Sequence, residues 1–375
     1  MSRLRTLALY AGGFLGPFGG GVVTAMLPEM GNDLGVSSPA AASTLAAYLF
    51  PFAILMLVSG TLGARWGQFR TVRIAYAVYV VASLACVVAP SLSFLLVPRA
   101  IQGCANAFTT PLLLASLASI TPKARLGRAL GTFSALQAAG QTTAPLVGGL
   151  AAEVNWRLAF VAVAVVAAIL GIVGLPTGAQ VSGREVKLRQ ALRPDVVRIG
   201  LVAFLGWGAL GGLNFLVAFR AEDAFGLGPT QRGLLLTGFG IAGIIAARPV
   251  GNAIDRIGAR RSVLIGATCG AVLVTLAGTA GLLVVAAAAW AAAGVAGQGI
   301  LVGVNAAVLG LRGPNQGGAL SVVQSLRFSG QALAPVLLTP LYGVHPTTAF
   351  VIPAVLLALV APVLMPRPRA ETEPV

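Results

Sequence analysis

The chain has 375 residues, of which 57% are hydrophobic and only 9% charged, with a mean hydropathy of +0.90 and a net charge of +15. About a quarter of a soluble globular domain is charged, so this composition excludes one and indicates an integral membrane protein. Cys86, Cys104 and Cys269 lie in apolar runs at no metal-ligand spacing; they read as small buried hydrophobes, with no metal site and no disulfide.

A helical crossing of the bilayer core takes about 20 apolar residues. Twelve such runs follow one another: 6–30, 40–63, 72–91, 93–119, 129–153, 156–177, 198–220, 231–252, 262–280, 282–310, 318–342 and 346–366. They lack the alternation of barrel strands. The opening "MSRLR" and its apolar run resemble a signal peptide's start but are too long, and read as an uncleaved first crossing. With the N-terminus inside, nineteen of the 25 Lys and Arg fall on the cytoplasmic side; Arg157, Arg220 and Arg232 fall outside, and Arg99, Arg248 and Arg327 lie within predicted helices. The positive-inside rule then puts both termini in the cytoplasm of a multi-pass cell (plasma or inner) membrane protein, and the basic balance is topology rather than nucleic-acid binding.

In chain order, the first crossing offers Tyr10, Phe14 and Phe18, and ends near Glu29 and Asp33. The second runs into "GTLGARWGQFRTV", 60–72. The fourth puts Arg99, Gln102, Asn106 and Thr109 or Thr110 on one face, either lining a cavity or bonding helices together. The fifth carries Ser134, Gln137 and Gln141 with Gly131, Gly140, Pro145, Gly148 and Gly149, small residues for close packing and a proline able to kink the helix, which suits gating by sealing one end of a path or packing alone. Trp207 and Asn214 in the seventh, and Trp290, Gln298 and Asn305 in the tenth, could stack on or bond a ligand. The eighth runs into "GNAIDRIGARRSV", 251–263, a second basic turn that has Asp255 where the first has Ala64. The eleventh holds Gln324, Arg327 and Gln331; Arg327 is the most deeply placed charge and has no obvious buried acid to pair with, so it contacts substrate or serves as a hydrogen-bond post. Glu222 and Asp223 fall in an outer loop, and His345, the only histidine, is also outside.

The chain repeats at an offset of about 190. "GQTTAPLV", 140–147, returns as "GQALAPVL", 330–337; "GRAL", 127–130, returns as "GGAL", 317–320; and Gly60, Arg65 and Gly67 match Gly251, Arg256 and Gly258. The fold class expected is therefore an all-α membrane protein, twelve transmembrane helices in two six-helix pseudo-symmetric bundles, 1–177 and 198–366. A cytoplasmic linker, 178–197, joins them, and a tail, 367–375, follows. Bundles so related place a substrate site at their interface near the midplane.

These residues carry a resemblance to the major facilitator superfamily over essentially the whole chain. "GNAIDRIGARR" is similar to that family's turn G-x-x-x-D-R-x-G-x-[RK]-[RK], "RAIQG" (Arg99–Gly103) to its fourth-helix R-x-x-Q-G, and "GTFSALQAAGQTTAPLVGG", 131–149, to its fifth-helix antiporter motif, with Ala144 replacing one glycine. The last resemblance implies the drug:proton antiporter branch: export of drugs or amphiphilic metabolites by alternating access. It further implies that Asp255, with Arg256, reaches across to the start of the fifth crossing beside Arg125 and Arg128 and latches the cytoplasmic side, a latch the first copy lacks. The runner-up is movement of a small anionic or sugar-like solute, suggested by Arg327. Glu29, in "LPEM", is the candidate proton carrier, because no acid sits at the midplane. The expected partners are the lipid bilayer, a small-molecule substrate and a coupling proton, with a monomeric protein and no cofactor. No Walker sequence and no catalytic cluster are present, so the chain reads as no enzyme.

Overall fold

The computed structural model describes residues 2–176, 192–311 and 316–367; residues 178–191 of the expected linker, residues 368–375 of the tail, and Arg312 lie outside them. The described backbone is almost wholly helical. The helices are α1 (Ser2–Gly21), α2 (Leu27–Asp33), α3 (Ser38–Ala41), α4 (Ser43–Trp66), α5 (Gln68–Val87), α6 (Leu92–Ile120), α7 (Lys123–Ala152) and α8 (Arg157–Val173) in the first half. The second half has α9 (Pro194–Ala209), a 3-10 turn (Gly211–Leu213), α10 (Asn214–Phe225), α11 (Pro229–Ile257), α12 (Ala259–Thr279), α13 (Leu283–Gly310), α14 (Gln316–Val344) and α15 (Pro346–Leu364). Eight helical segments among the described residues are long and apolar enough to cross a membrane. The outer surface is apolar too: Ile172, Val363 and Ile245 are 84%, 81% and 74% exposed, which suits lipid and not water.

Local chemistry sets the helix ends. Proline opens α9, α11 and α15, where its missing N–H costs nothing. Ser91 caps α6 by accepting the Phe94 N–H (3.3 Å). The two basic turns are built alike: α4 passes into α5 through Gly67 at φ +89°, and α11 into α12 through Gly258 at φ +84°. A side chain at either would be strained, which is why both copies of the turn keep that glycine. Arg260, at the start of α12, donates to the carbonyls of Pro362 and Met365, so the end of α15 lies on the same face as the basic turns. We call this the basic face and the opposite one the far face.

The repeat is visible in matched contacts. A methyl group on Gly140 would lie 2.3 Å from the Phe14 carbonyl oxygen, and one on Gly330 2.1 Å from that of Phe204. Likewise Gly103 abuts the Tyr48 carbonyl (2.0 Å) and Gly294 that of Phe239 (1.9 Å). The first two pairs differ by 190 in numbering and the second two by 191, so the same helices cross at the same residues in both halves.

Several expectations need correction. The first run is not one rod: α1 stops at Gly21, turns follow, and α2 resumes at Leu27. Glu222 and Asp223 lie on helix α10 rather than in a loop, because the helical span continues to Phe225 before Gly226 (φ +63°) ends it. Cys269 is exposed and Cys104 half-buried; only Cys86 is buried.

Candidate functional site

The two bundles meet along two helix pairs, α7 with α11 and α4 with α14. Along the first pair the contacts run from the far face inward. Thr230 N–H donates to Glu153 (3.1 Å), a methyl on Gly149 would meet the Pro229 carbonyl at 2.3 Å, one on Gly233 the Pro145 carbonyl at 2.6 Å, and one on Gly240 the Thr142 hydroxyl at 2.2 Å. Nearer the basic face the same helices separate: Gly131 on α7 and Gly251 on α11 have nothing within 4 Å of where a methyl would sit. Along the second pair, the Ser325 hydroxyl donates to the Ala53 carbonyl (2.7 Å) and Phe328 meets Phe52 edge-on at 4.8 Å. The bundles are thus joined over the far half and part toward the basic face.

A charged cluster pins the joined end. Arg232 on α11, 1% exposed, donates to Glu29 of the first bundle, to the Ala25 carbonyl (3.2 Å) and to the Leu227 carbonyl (3.1 Å). Glu222 stands 3.4 Å from the same guanidinium. Glu29, the expected proton carrier, is therefore an interdomain ion-pair partner; its second oxygen, Oε2, is buried without a hydrogen bond. The Thr230 N–H holds the Glu153 carboxyl below its usual range. Beside the cluster, the side chains of Arg157 and Trp156 bond Asp33, and the hydrogen bond from Arg157 lowers its carboxyl likewise.

The residues expected to gate sit in two groups. Gly140, Pro145, Gly148 and Gly149 lie in contact; Gly148 packs on the Val22 carbonyl, Gly140 within its own bundle, and Pro145 and Gly149 against α11. At the basic face, Arg65, Arg128, Asp255 and Arg256 are exposed, and Asp255 makes no ion pair among the described residues. Gly60 faces Pro111 of its own bundle at 3.8 Å, and Gly67 and Gly258 form the turns. The reach of Asp255 toward α7 is not made in this arrangement, because the helices that would carry it have parted.

The expected cavity residues divide by bundle. Arg99 and Gln102, each 0% exposed, do not line a cavity but brace the first bundle from inside. Arg99 donates to the carbonyls of Gly19 (3.1 Å) and Thr44 (3.3 Å) and to Gln102 (2.8 Å), over the rings of Tyr48 and Phe160. Gln102 passes the chain on to Ser83 (2.8 Å). Asn106 accepts from Thr109 (2.9 Å) and packs against Gly16. Gln137 and Gln141, on α7, remain half-buried. In the second bundle Trp207, Asn305, Gln324 and Arg327 line one tight recess with Ile300 and Val304. Each of the four has a buried polar atom without a hydrogen-bond partner, as do Asn214 and Gln331 nearby in sequence. Gln298 is half-buried and lies near Gly243. No three of His, Cys, Asp and Glu among the described residues come together as a metal site.

Sequence reasoning overlooked Arg232 and Glu222. Arg232 follows a proline at the start of an apolar run, which looks like an ordinary loop charge; a cation one turn inside a helix start, where the dipole disfavours it, was the available signal.

The family model of the Major Facilitator Superfamily matches residues 9–222 and 199–375. The uncharacterized MFS-type transporter EfpA of Mycobacterium tuberculosis is 34% identical over 140 residues, 37% of this chain and 26% of that protein. Multidrug resistance protein 1 of Bacillus subtilis is 26% identical over 241 residues, 62% of each chain. The chain thus spans between about a quarter and two thirds of the length of these curated relatives. A POT family transporter solved in complex with 5-aminolevulinic acid superimposes with a TM-score of 0.79 at 12% identity, over 96% of this chain and 95% of that one, a likeness of fold alone.

Proposed function

The chain belongs to the Major Facilitator Superfamily, transporters and not enzymes, and from that premise we propose that it exports drugs or amphiphilic metabolites by proton antiport. In this reading twelve crossings span the cell membrane, the basic face with both termini is cytoplasmic, and one monomer moves its small-molecule substrate by alternating access. α1–α2 and α9–α10 each count as one broken crossing, and α7, α8 and α14 complete the twelve. The arrangement described is then the cytoplasm-facing state.

The observation that carries this reading is the interface itself, joined over its far half and parted toward the basic face, with unpartnered polar side chains gathered in a recess of the second bundle. A path open at one end and sealed at the other is what alternating access requires. The fifth-helix motif and the Bacillus relative's name support drugs as cargo. Glu29 is the proposed proton carrier, since protonating it would release Arg232 and unpin the far end; Asp255 is the proposed latch of the other state. Proteoliposomes holding the full chain, given a broad substrate panel with and without an imposed pH gradient, test this. Export accelerated by a gradient of the right sign is expected, and flux indifferent to the gradient sinks the antiport assignment. A second reading, movement of a small anionic or sugar-like solute, is favoured by one observation, that Arg327 has no hydrogen-bond or ion-pair partner among the described residues.

A further inference from the structure

Arg99 is wholly buried in the first bundle and Arg327 half-buried in the middle of α14 in the second, and the two are treated differently. Arg99 bonds two backbone carbonyls and one side-chain oxygen of its own bundle through Nε and Nη1, and only its Nη2 is buried without a partner. Arg327 makes no hydrogen bond among the described residues, and its Nε is buried without an acceptor. Its guanidinium carbon lies 4.7 Å from the Trp207 ring centre and 4.2 Å from that of Phe328. Aromatic faces stabilise a cation, but they leave its in-plane N–H groups unsatisfied. None of the described residues around the recess is an aspartate or glutamate. A guanidinium in a low-dielectric span with neither counter-ion nor acceptor is costly, and a bound anion would offset that cost.

We propose that the recess between α9, α13 and α14 is a carboxylate-binding subsite in which the edge of Arg327 takes the anion; this rests on the transporter reading and specifies its cargo as amphiphilic organic acids. Three features select the class. A guanidinium covered by rings presents its N–H fork edge-on, the geometry that a planar carboxylate meets with two parallel hydrogen bonds. One uncompensated positive charge matches a monoanion. The unpartnered groups of Trp207, Asn305 and Gln324 add polar contacts, because an amide can turn its NH₂ toward an anion, while Ile300 and Val304 give the acid's apolar body a surface. Arg327 then determines specificity, and the aromatic pair holds its orientation.

The test is binding of four probes to the purified full chain by isothermal calorimetry: 1-naphthoate, its methyl ester, 1-naphthalenesulfonate and 1-naphthylmethylammonium. Naphthoate should bind best, and Arg327→Gln should weaken it by about ten- to hundredfold, the worth of hydrogen bonds to a charged group. Arg327→Lys keeps the charge and loses the fork, so it should bind naphthoate at an intermediate level and no longer prefer it to the sulfonate. Should Arg327→Gln fail to fold, the Lys variant decides by that loss of preference. Ester or ammonium binding equal to naphthoate, sulfonate equal to naphthoate in the unaltered protein, or an unchanged Lys variant overturns the assignment. Binding is read apart from flux: naphthoate binding without transport of any solute would refute the transporter reading and leave the subsite standing.

Discussion

The two ends of the interface between the bundles are built on opposite principles. At the far end, backbone carbonyls press on Gly149 and Gly233, and a buried guanidinium joins Glu29 to α11. At the basic end the glycines face empty space and the charges face outward. Both ends use the same materials, small residues on facing helices and an arginine–carboxylate set. What differs is contact: the far-end set joins the two bundles, whereas Asp255 at the basic end makes no ion pair among the described residues. Steric contact on backbone and buried charge pairing are both short-ranged, so parting by an ångström or two would lose them together.

The strongest way to break the contrast is to wedge the locked end. Gly149→Leu must displace the Pro229 carbonyl, and overpacking of about 1–3 kcal/mol falls on the far-closed state alone. Transport should drop about tenfold or more, whereas Gly131→Ala, at the released end, should leave flux within about twofold. Flux measured side by side checks both, and equal sensitivity of the two glycines removes the contrast.

Removing the charge pin comes next. Arg232→Gln leaves Glu29 and Glu222 without their cation, at a cost near the low end of about 2–5 kcal/mol for a broken interfacial pair, since Glu29 keeps 25% exposure. Thiol labelling of Ala25→Cys from the far side should quicken severalfold, and transport should fall. Unchanged labelling would show that Arg232 pins nothing.

Asp255→Asn sharpens the comparison by acting oppositely. Its carboxylate makes no ion pair among the described residues, so the substitution should leave this state untouched and weaken the other. Transport should fall by a smaller factor, and Ala25→Cys labelling should slow rather than quicken; normal transport would remove the latch. The smallest effect is expected at Glu153, which is exposed. Its carboxyl is held below the ordinary range by the Thr230 N–H, so its contribution is complete above that range and lost as pH falls through its lowered value. Glu153→Gln should abolish only that acid-side component of far-end closure, read as labelling against pH.

Much of this was legible in the sequence because the signals were local or periodic. Apolar length revealed the spans, the repeated Gly67 and Gly258 marked turns that only glycine fits, and "GQTTAPLV" against "GQALAPVL" foretold matched contacts that recur at the same helix crossings. Arg99 was harder. Helical spacing places it on a face with Gln102 and Asn106 but cannot say whether that face meets its own bundle or the opposite one. The carbonyls of Gly19 and Thr44 that take its donors lie 80 and 55 residues away. Arg232 and Glu29 are 203 residues apart, and no window of sequence joins them. The exposed Cys269 was misread for a related reason: in a bilayer, apolar and buried are not the same property.

The interrupted helices carry a last consequence. The α1–α2 break after Gly21 and the α9–α10 break before Asn214 fall about 190 residues apart, at the repeat interval. A discontinuity shared by both copies is older than the doubling that produced them. Doubling one bent half is enough to give a chain two matching breaks, with no second one to evolve.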